Sequence, residues 1–138
     1  MLFRSEWPDT RATAGIDSAW LAGGLKLQAE YVRARLHEAS ASGHGGYASA
    51  TWNLDGRAWD YRHGQPLLVR DGGTLWQLGL RYDHVVLERD GALRALTAGI
   101  NFYWHRFKAM FDVVAVEGRR EGSHDMARIA QARLQYAW

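Results

Sequence analysis

The sequence predicts an all-β chain, an antiparallel up-and-down series of about seven or eight long strands of the kind that wall a transmembrane β-barrel. Three observations lead there. Apolar and polar residues alternate with a period of two along most of the chain, and a helical period is hard to find. The alternating runs are about 10–12 residues long, against about 5–6 for an ordinary strand. Most are bounded by Gly-containing or polar turn segments. A chain of 138 residues holds one domain, so residues 1–138 are taken as a single unit with a lead-in over residues 1–10.

The elements follow in order. From Arg11 to Ala22, Ala12, Ala14, Ile16 and Trp20 alternate with Thr13, Gly15 and Asp17. Gly23-Gly24 then reads as a tight turn. From Leu25 to Leu36, Leu25, Leu27, Ala29 and Tyr31 share one face, and Lys26, Gln28 and Glu30 share the other. His37 to Gly46 is small and polar and reads as a loop. Tyr47 to Leu54 is a third strand with Ala48, Ala50, Trp52 and Leu54 on one side. Residues 57–74 read as an irregular connection. Trp59 and Tyr61 suit a short strand there, while Gly64, Pro66 and Gly72-Gly73 break any long element. The alternation resumes with Trp76, Leu78, Leu80 and Tyr82, and Glu88 to Gly91 is a turn. Leu96, Ala98, Ile100, Phe102 and Trp104 form the next apolar face. His105-Arg106 is a two-residue hairpin turn without the usual Gly or Asn. Phe107, Ala109, Phe111, Val113 and Ala115 follow, then a charged loop from Glu117 to Asp125, then Ala130, Ala132, Leu134, Tyr136 and Trp138.

Composition removes several classes. There is no cysteine, which rules out disulfides and thiolate metal sites. No run of 18 apolar residues is present, so no transmembrane helix is expected. A mean hydropathy of -0.36 does not distinguish a soluble domain from a barrel, whose strands cross on alternating residues. A formal charge of +2 is too small to argue for nucleic acid from the total alone. Met1 to Pro8 lacks the apolar stretch of a secretory leader, so an exported chain of this kind is expected to begin upstream.

Enzymatic chemistry is not expected. Histidines 37, 44, 63, 84, 105 and 124 show no ligand spacing, and no metal or cofactor is expected. Ser123-His124-Asp125 are adjacent in the chain, whereas a catalytic triad needs converging groups from separate elements. Gly43-His-Gly-Gly46 lacks the Lys-Ser/Thr of a phosphate-binding loop and reads as a plain loop. Arg119-Arg120 reads as solvated loop charge, placed where it could draw anions toward a pore mouth.

Alternation alone does not say whether the apolar face meets a protein core or lipid. The opposite face carries Lys26, Gln28, Glu30, Gln77, Arg81, Asp83, Asn101, Lys108, Asp112, Gln131, Arg133 and Gln135. Aromatic residues gather near strand ends on the apolar side, as interfacial side chains do in membranes. Trp20, Trp76, Trp104, Tyr136 and Trp138 are the candidates for that role.

The segment Leu75-Trp-Gln-Leu-Gly-Leu-Arg-Tyr82, the Asp90-Gly91 turn and Thr97-Ala-Gly-Ile-Asn-Phe-Tyr-Trp104 resemble the C-terminal hairpin of the phosphate-selective porins O and P. Arg133-Leu-Gln-Tyr-Ala-Trp138 is similar to the closing segment of that family, and Leu27-Gln-Ala-Glu-Tyr-Val-Arg33 resembles another of its strands. Asn53-Leu-Asp-Gly56 departs from the family's Leu-Thr-Gly-Glu. The resemblance spans nearly the whole chain but only the C-terminal half of a sixteen-stranded barrel, so the constriction residues cannot be carried over.

It implies an outer-membrane, trimeric porin that passes phosphate, polyphosphate or other small anions by passive diffusion. It also implies recognition of the last strand by the barrel-assembly machinery, and a periplasmic C-terminus. On that topology Gly23-Gly24 and His105-Arg106 are periplasmic turns. The anion-contact candidates are Lys26, Arg81, Lys108 and Arg133. The competing expectation is that they pair with Glu30, Asp83 and Asp112 and merely solvate the wall. Two further readings stay open: a small soluble lipocalin-like barrel holding an apolar ligand, and an inactive truncated porin fragment. If the apolar face meets lipid, Arg at Leu78 or Ile100 should be costly and Arg at Gln77 or Asn101 cheap.

Overall fold

A computed structural model describes residues 11–36, 41–68, 73–88 and 91–136. The lead-in, the first part of the 37–46 segment and Trp138 lie outside the described residues. Among the described residues there are nine strands: β1 (Arg11–Ala22), β2 (Leu25–Leu36), β3 (Ala41–Asn53), β4 (Trp59–Arg62), β5 (Gln65–Leu68), β6 (Thr74–Leu87), β7 (Gly91–Trp104), β8 (Phe107–Arg120) and β9 (Ser123–Tyr136). Seven of them form one sheet in the order β1-β2-β3-β6-β7-β8-β9, all antiparallel, and β4 and β5 pair only with each other. The sheet is not closed, since β1 and β9 have no partner on their outer edges among the described residues.

β1 and β2 occupy the ranges that alternation assigned to them. Their turn begins at Gly23, whose φ of 52° suits a residue without a Cβ. At the corresponding place between β7 and β8, His105 adopts φ 48° and fills the glycine role at some steric cost.

The loops are shorter than their composition suggested. Ala41 to Gly46 is strand rather than loop, because it pairs with β2 throughout and, from Gly43 on, with β6 as well. Glycine is useful there. A Cβ on Gly45 would come within 2.9 Å of the His84 carbonyl oxygen, and one on Gly46 would collide with the Glu30 carbonyl. The charged stretch Glu117 to Asp125 is likewise mostly strand, with β8 and β9 joined by Glu121-Gly122 and φ 78° at Gly122. Local polarity misled in both cases, since pairing with neighbours satisfies the backbone whatever the side chains are.

The segment between β3 and β6 holds no strand of spanning length. β3 pairs directly with β6, so the two are sequential members of the meander. Within the connection β4 and β5 are four residues each, joined by His63-Gly64 with φ 51° and 77°. Two successive positive φ values are the geometry of a type I′ hairpin turn.

The register aligns one apolar face across all seven strands. Leu25, Trp52, Leu78, Ile100, Phe111 and Ala132 occupy successive partner positions, as do Trp20, Leu27, Ala50, Leu80, Ala98, Val113 and Ala130. Most of these side chains are exposed, Leu80 at 52% of full accessibility, and Leu25, Ala50 and Ile100 are half-buried. Among the described residues nothing packs over them. On β8 the band runs from Phe107 to Ala115, about 27 Å along the strand at about 3.4 Å per residue. A strand tilted by about 40° would then cover roughly 21 Å of membrane normal, near the ~25 Å apolar band of outer-membrane barrels. The buried side chains lie instead on the opposite face, at Leu75, Tyr103, Asn53 and Gln77.

Candidate lumen wall

The polar face takes its order from the same register. Lys26, Arg81, Lys108 and Arg133 all point to this side, since each is offset by one residue from an apolar position on its strand. They do not converge. Lys108 and Arg133 lie toward the end of the sheet that carries the Gly23 and His105 turns. Lys26 is one outward step further, and Arg81 lies nearer the middle.

Their surroundings differ. The Arg81 Nη2 donates to Asp83 at 2.6 Å and its Nε reaches both carboxylate oxygens at 2.9 Å. The same guanidinium lies 3.9 Å above the Tyr47 ring. Arg81 is therefore the residue for which pairing within the wall holds, though the partner sits two residues along its own strand rather than across a strand. Lys26 is half-buried, with Nζ 4.7 Å over the Trp59 ring. Lys108 lies with Nζ 5.1 Å from the Tyr103 ring centre. Arg133 is exposed on β9. Asp112 lies against Gly99, where any Cβ would strike its carboxylate, and it accepts from Gln131 Nε2 at 3.4 Å.

Charge is distributed by height. Toward the short-turn end the polar face carries Lys26, Lys108 and Arg133 against Asp112. Toward the other end Asp17, Glu30, Asp83 and Asp125 outnumber Arg81 and Arg120. Taken whole, the described side chains of this face balance.

The β4-β5 connection shapes the lower wall in a way the sequence did not signal. Asn53, Gln77 and Asn101 are register partners on β3, β6 and β7. Gln77 Nε2 donates to Asn53 Oδ1 at 2.9 Å, and Asn101 Nδ2 donates to Gln77 Oε1 at 2.8 Å. The Tyr103 hydroxyl also reaches Gln77 Oε1, at 3.4 Å. Asn53 Nδ2 closes the ladder onto the Arg57 carbonyl at 2.8 Å. The connection is tied down by backbone bonds from Asn53 to Gly24, Leu54 to Trp76 and Trp59 to Gly23, and by Trp59 Nε1 donating to the Gly24 carbonyl at 3.1 Å. Gln77, expected as a solvated wall residue that would accept Arg cheaply, is thus buried and fully bonded, and Asn101 is held in the same ladder. A run of amides at equivalent positions of three strands was the available signal.

Higher on the same face, Gly43 and Gly45 leave a depression of about 560 Å³, lined by Val32, Ala34, Val85 and Leu87 with Glu30, Tyr47, Arg81 and Asp83 beside it. Arg119 and Arg120 are not loop charges: they end β8 and point to opposite faces. Among the described residues no cluster of His, Asp or Glu has the arrangement of a metal site. The aromatic candidates Trp76, Trp104 and Tyr136 lie on the apolar face near the short-turn end. There Trp76 meets Phe102 at 4.5 Å between ring centres, and Phe107 meets Tyr136 at 4.9 Å. Trp20 lies one outward-facing position from the β1-β2 turn.

A wall with one lipid-compatible face and one charged, hydrogen-bonded face is what a water-filled barrel requires. No curated protein sequence matches the chain. The family model described as phosphate-selective porin O and P matches residues 4–138. The chain is an outer-membrane porin wall of all-β construction and belongs to the phosphate-selective porin O and P family.

Proposed function

We propose that this wall lines part of a water-filled barrel through which phosphate, polyphosphate or other small anions diffuse passively, with Lys26, Lys108 and Arg133 as the anion-contact residues. The observation that carries the reading is the excess of cations over Asp112 at the short-turn end of the polar face. Fixed cations offset part of the dehydration cost of an anion, and several weak sites in series let it leave again. Arg81 contributes least, because Asp83 already occupies its fork.

Because β1 and β9 have no partner on their outer edges among the described residues, we infer that conduction needs further strands. An open edge in hydrocarbon leaves N–H and C=O groups unbonded, at several kcal/mol each. The working pore is therefore a closed barrel of which these seven strands are a part. Trimer formation and recognition of β9 by an assembly machinery belong to the same proposal. β9 offers Ala130, Ala132, Leu134 and Tyr136 on its outward face and a free hydrogen-bonding edge. Trp20, Trp76, Trp104 and Tyr136 would then mark the membrane interface.

The test is the reversal potential, in planar bilayers under a salt gradient, of the closed barrel that contains this wall. An anion preference should fall sharply in Lys108→Glu and Arg133→Glu and change little in Arg81→Gln. Cation preference in the parent, or a selectivity indifferent to both reversals, would count against the reading.

A further inference from the structure

Among the described strand residues the excess of positive charge lies on the apolar face of the sheet, not on the polar one. On the apolar face the aliphatic band stops toward the end of the sheet opposite the short turns. Arg33 on β2, Arg94 on β7, Arg119 on β8 and Arg128 on β9 take over at the outward-facing positions. Arg35 extends the row on β2. All five are exposed. Among the described residues of these strands, two acidic side chains lie beside the arginines. Glu117 is held by Arg119 at 2.7 Å and by His124 at 3.0 Å, and Glu88 lies 3.7 Å from Arg33 while accepting from Ser42. Among the described residues Arg94 and Arg128, on two different strands, lie in no ion pair, and Arg35 adds its charge near Glu88.

Cations at this height have a specific chemical setting. They sit on the face that carries the lipid-exposed band: Arg128 is level with Tyr82, Leu96 and Ala115, Arg94 lies one outward position beyond them, Arg33 and Arg119 two, and Arg35 three. A side chain there neither lines the lumen nor extends into open solvent above it. It faces the headgroup layer of the membrane leaflet at that end.

We propose that this collar binds the phosphate groups of anionic membrane lipids and so fixes the height of the wall in the bilayer. Guanidinium groups suit the task, because a planar fork of donors matches two phosphate oxygens at once. Spacing across β2, β7, β8 and β9 makes the collar a site for several headgroups side by side. Free phosphate is disfavoured as its occupant, since the collar is continuous with apolar surface that only acyl chains can cover. The inference rests on the apolar face meeting lipid and is independent of which anion crosses the lumen.

The full chain, refolded in zwitterionic detergent, would be transferred into mixed micelles containing either phosphatidylglycerol or phosphatidylcholine, and the partition of each lipid onto the protein measured. The parent should prefer phosphatidylglycerol, and the preference should fall as salt rises from low to physiological strength and beyond. The quadruple variant Arg33→Gln, Arg94→Gln, Arg119→Gln, Arg128→Gln should lose it. A surface cation near an anionic headgroup layer counts for roughly a fivefold factor, so a loss of about a hundredfold or more is expected. The luminal double variant Arg81→Gln, Arg133→Gln should keep the preference. Should the quadruple variant fail to refold, the parent's lipid preference and its salt dependence decide alone. Equal binding of the two lipids by the parent overturns the proposal and leaves a protein partner as the reading of the collar. Displacement of phosphatidylglycerol by millimolar inorganic phosphate, at constant ionic strength, also overturns it, in favour of a free-anion site.

Discussion

Single side chains in this protein are read by the face they occupy, and the cost of a change follows from what that face meets. Ile100 lies in the middle of the exposed apolar band, with Leu78 and Phe111 as its register partners. Ile100→Arg should lower folding stability in detergent micelles or bilayers by about 2–4 kcal/mol, whereas Thr97→Arg, on the polar face of the same strand, should change it little. Equal effects in a urea titration of the two variants would mean the faces are exchanged. Gln77 is a different case. It donates to Asn53 and accepts from Asn101, so Gln77→Leu strands the Asn53 Oδ1 acceptor and the Asn101 Nδ2 donor. A loss of about 1–3 kcal/mol is expected by the same titration, the usual cost of stranding buried polar groups.

At the scale of elements, the connection holding β4 and β5 is a structural part of the wall. Trp59 covers Lys26 and anchors itself on Gly24. Trp59→Ala should uncover the ammonium group, so that an amine-reactive probe labels Lys26 several times faster at fixed pH. Unchanged labelling would mean that the indole does not shield it. The end where β6 passes toward β7 is held differently. The Ser42 hydroxyl, followed by the nearby Arg33, Arg35 and His44 charges, keeps the Glu88 carboxyl below its ordinary pKa of 4.5. A depressed carboxylate stabilises the fold above its unfolded pKa, and that contribution is lost as pH falls through the folded value. Backbone amides at the β3-β6 end should therefore exchange faster below about pH 4.5, beyond the intrinsic change in exchange rate. Glu88→Gln should flatten that dependence. The effect is small, because the pair is exposed and screened.

For the whole molecule the governing fact is a sheet that, among the described residues, has one face uncovered and two edges unpaired. In plain buffer the chain should aggregate, and it should become monodisperse only in detergent or lipid, because a contiguous apolar face of this size is not left in water by a soluble monomer. A monomer stable without detergent would restore the soluble-barrel alternative. In micelles, hydrogen exchange should be slow in β3, β6 and β7, which pair on both sides, and faster along the free edges of β1 and β9. Protection of both edges equal to the centre would show that they are closed by partners.

The two-faced strands were legible because alternation has a period of two and the backbone must follow it. Leu78 and Ile100 on one side, and Lys26, Arg81, Lys108 and Arg133 on the other, could be assigned from sequence with no knowledge of the fold, as could the limits of β1 and β2. Tertiary pairing decided the rest. Gly43 to Gly46 became strand because both neighbours supply hydrogen bonds, a gain that no local composition records. Gln77 became buried because a connection starting at Asn53 folds back toward Gly24, a contact 29 residues apart in the chain. The neutralisation of Arg81 required its rotamer to bring Asp83 and Tyr47 together. Only the register placed Arg33, Arg94, Arg119 and Arg128 at the same end of the same face, because alternation assigns a side and the pairing of strands assigns a height.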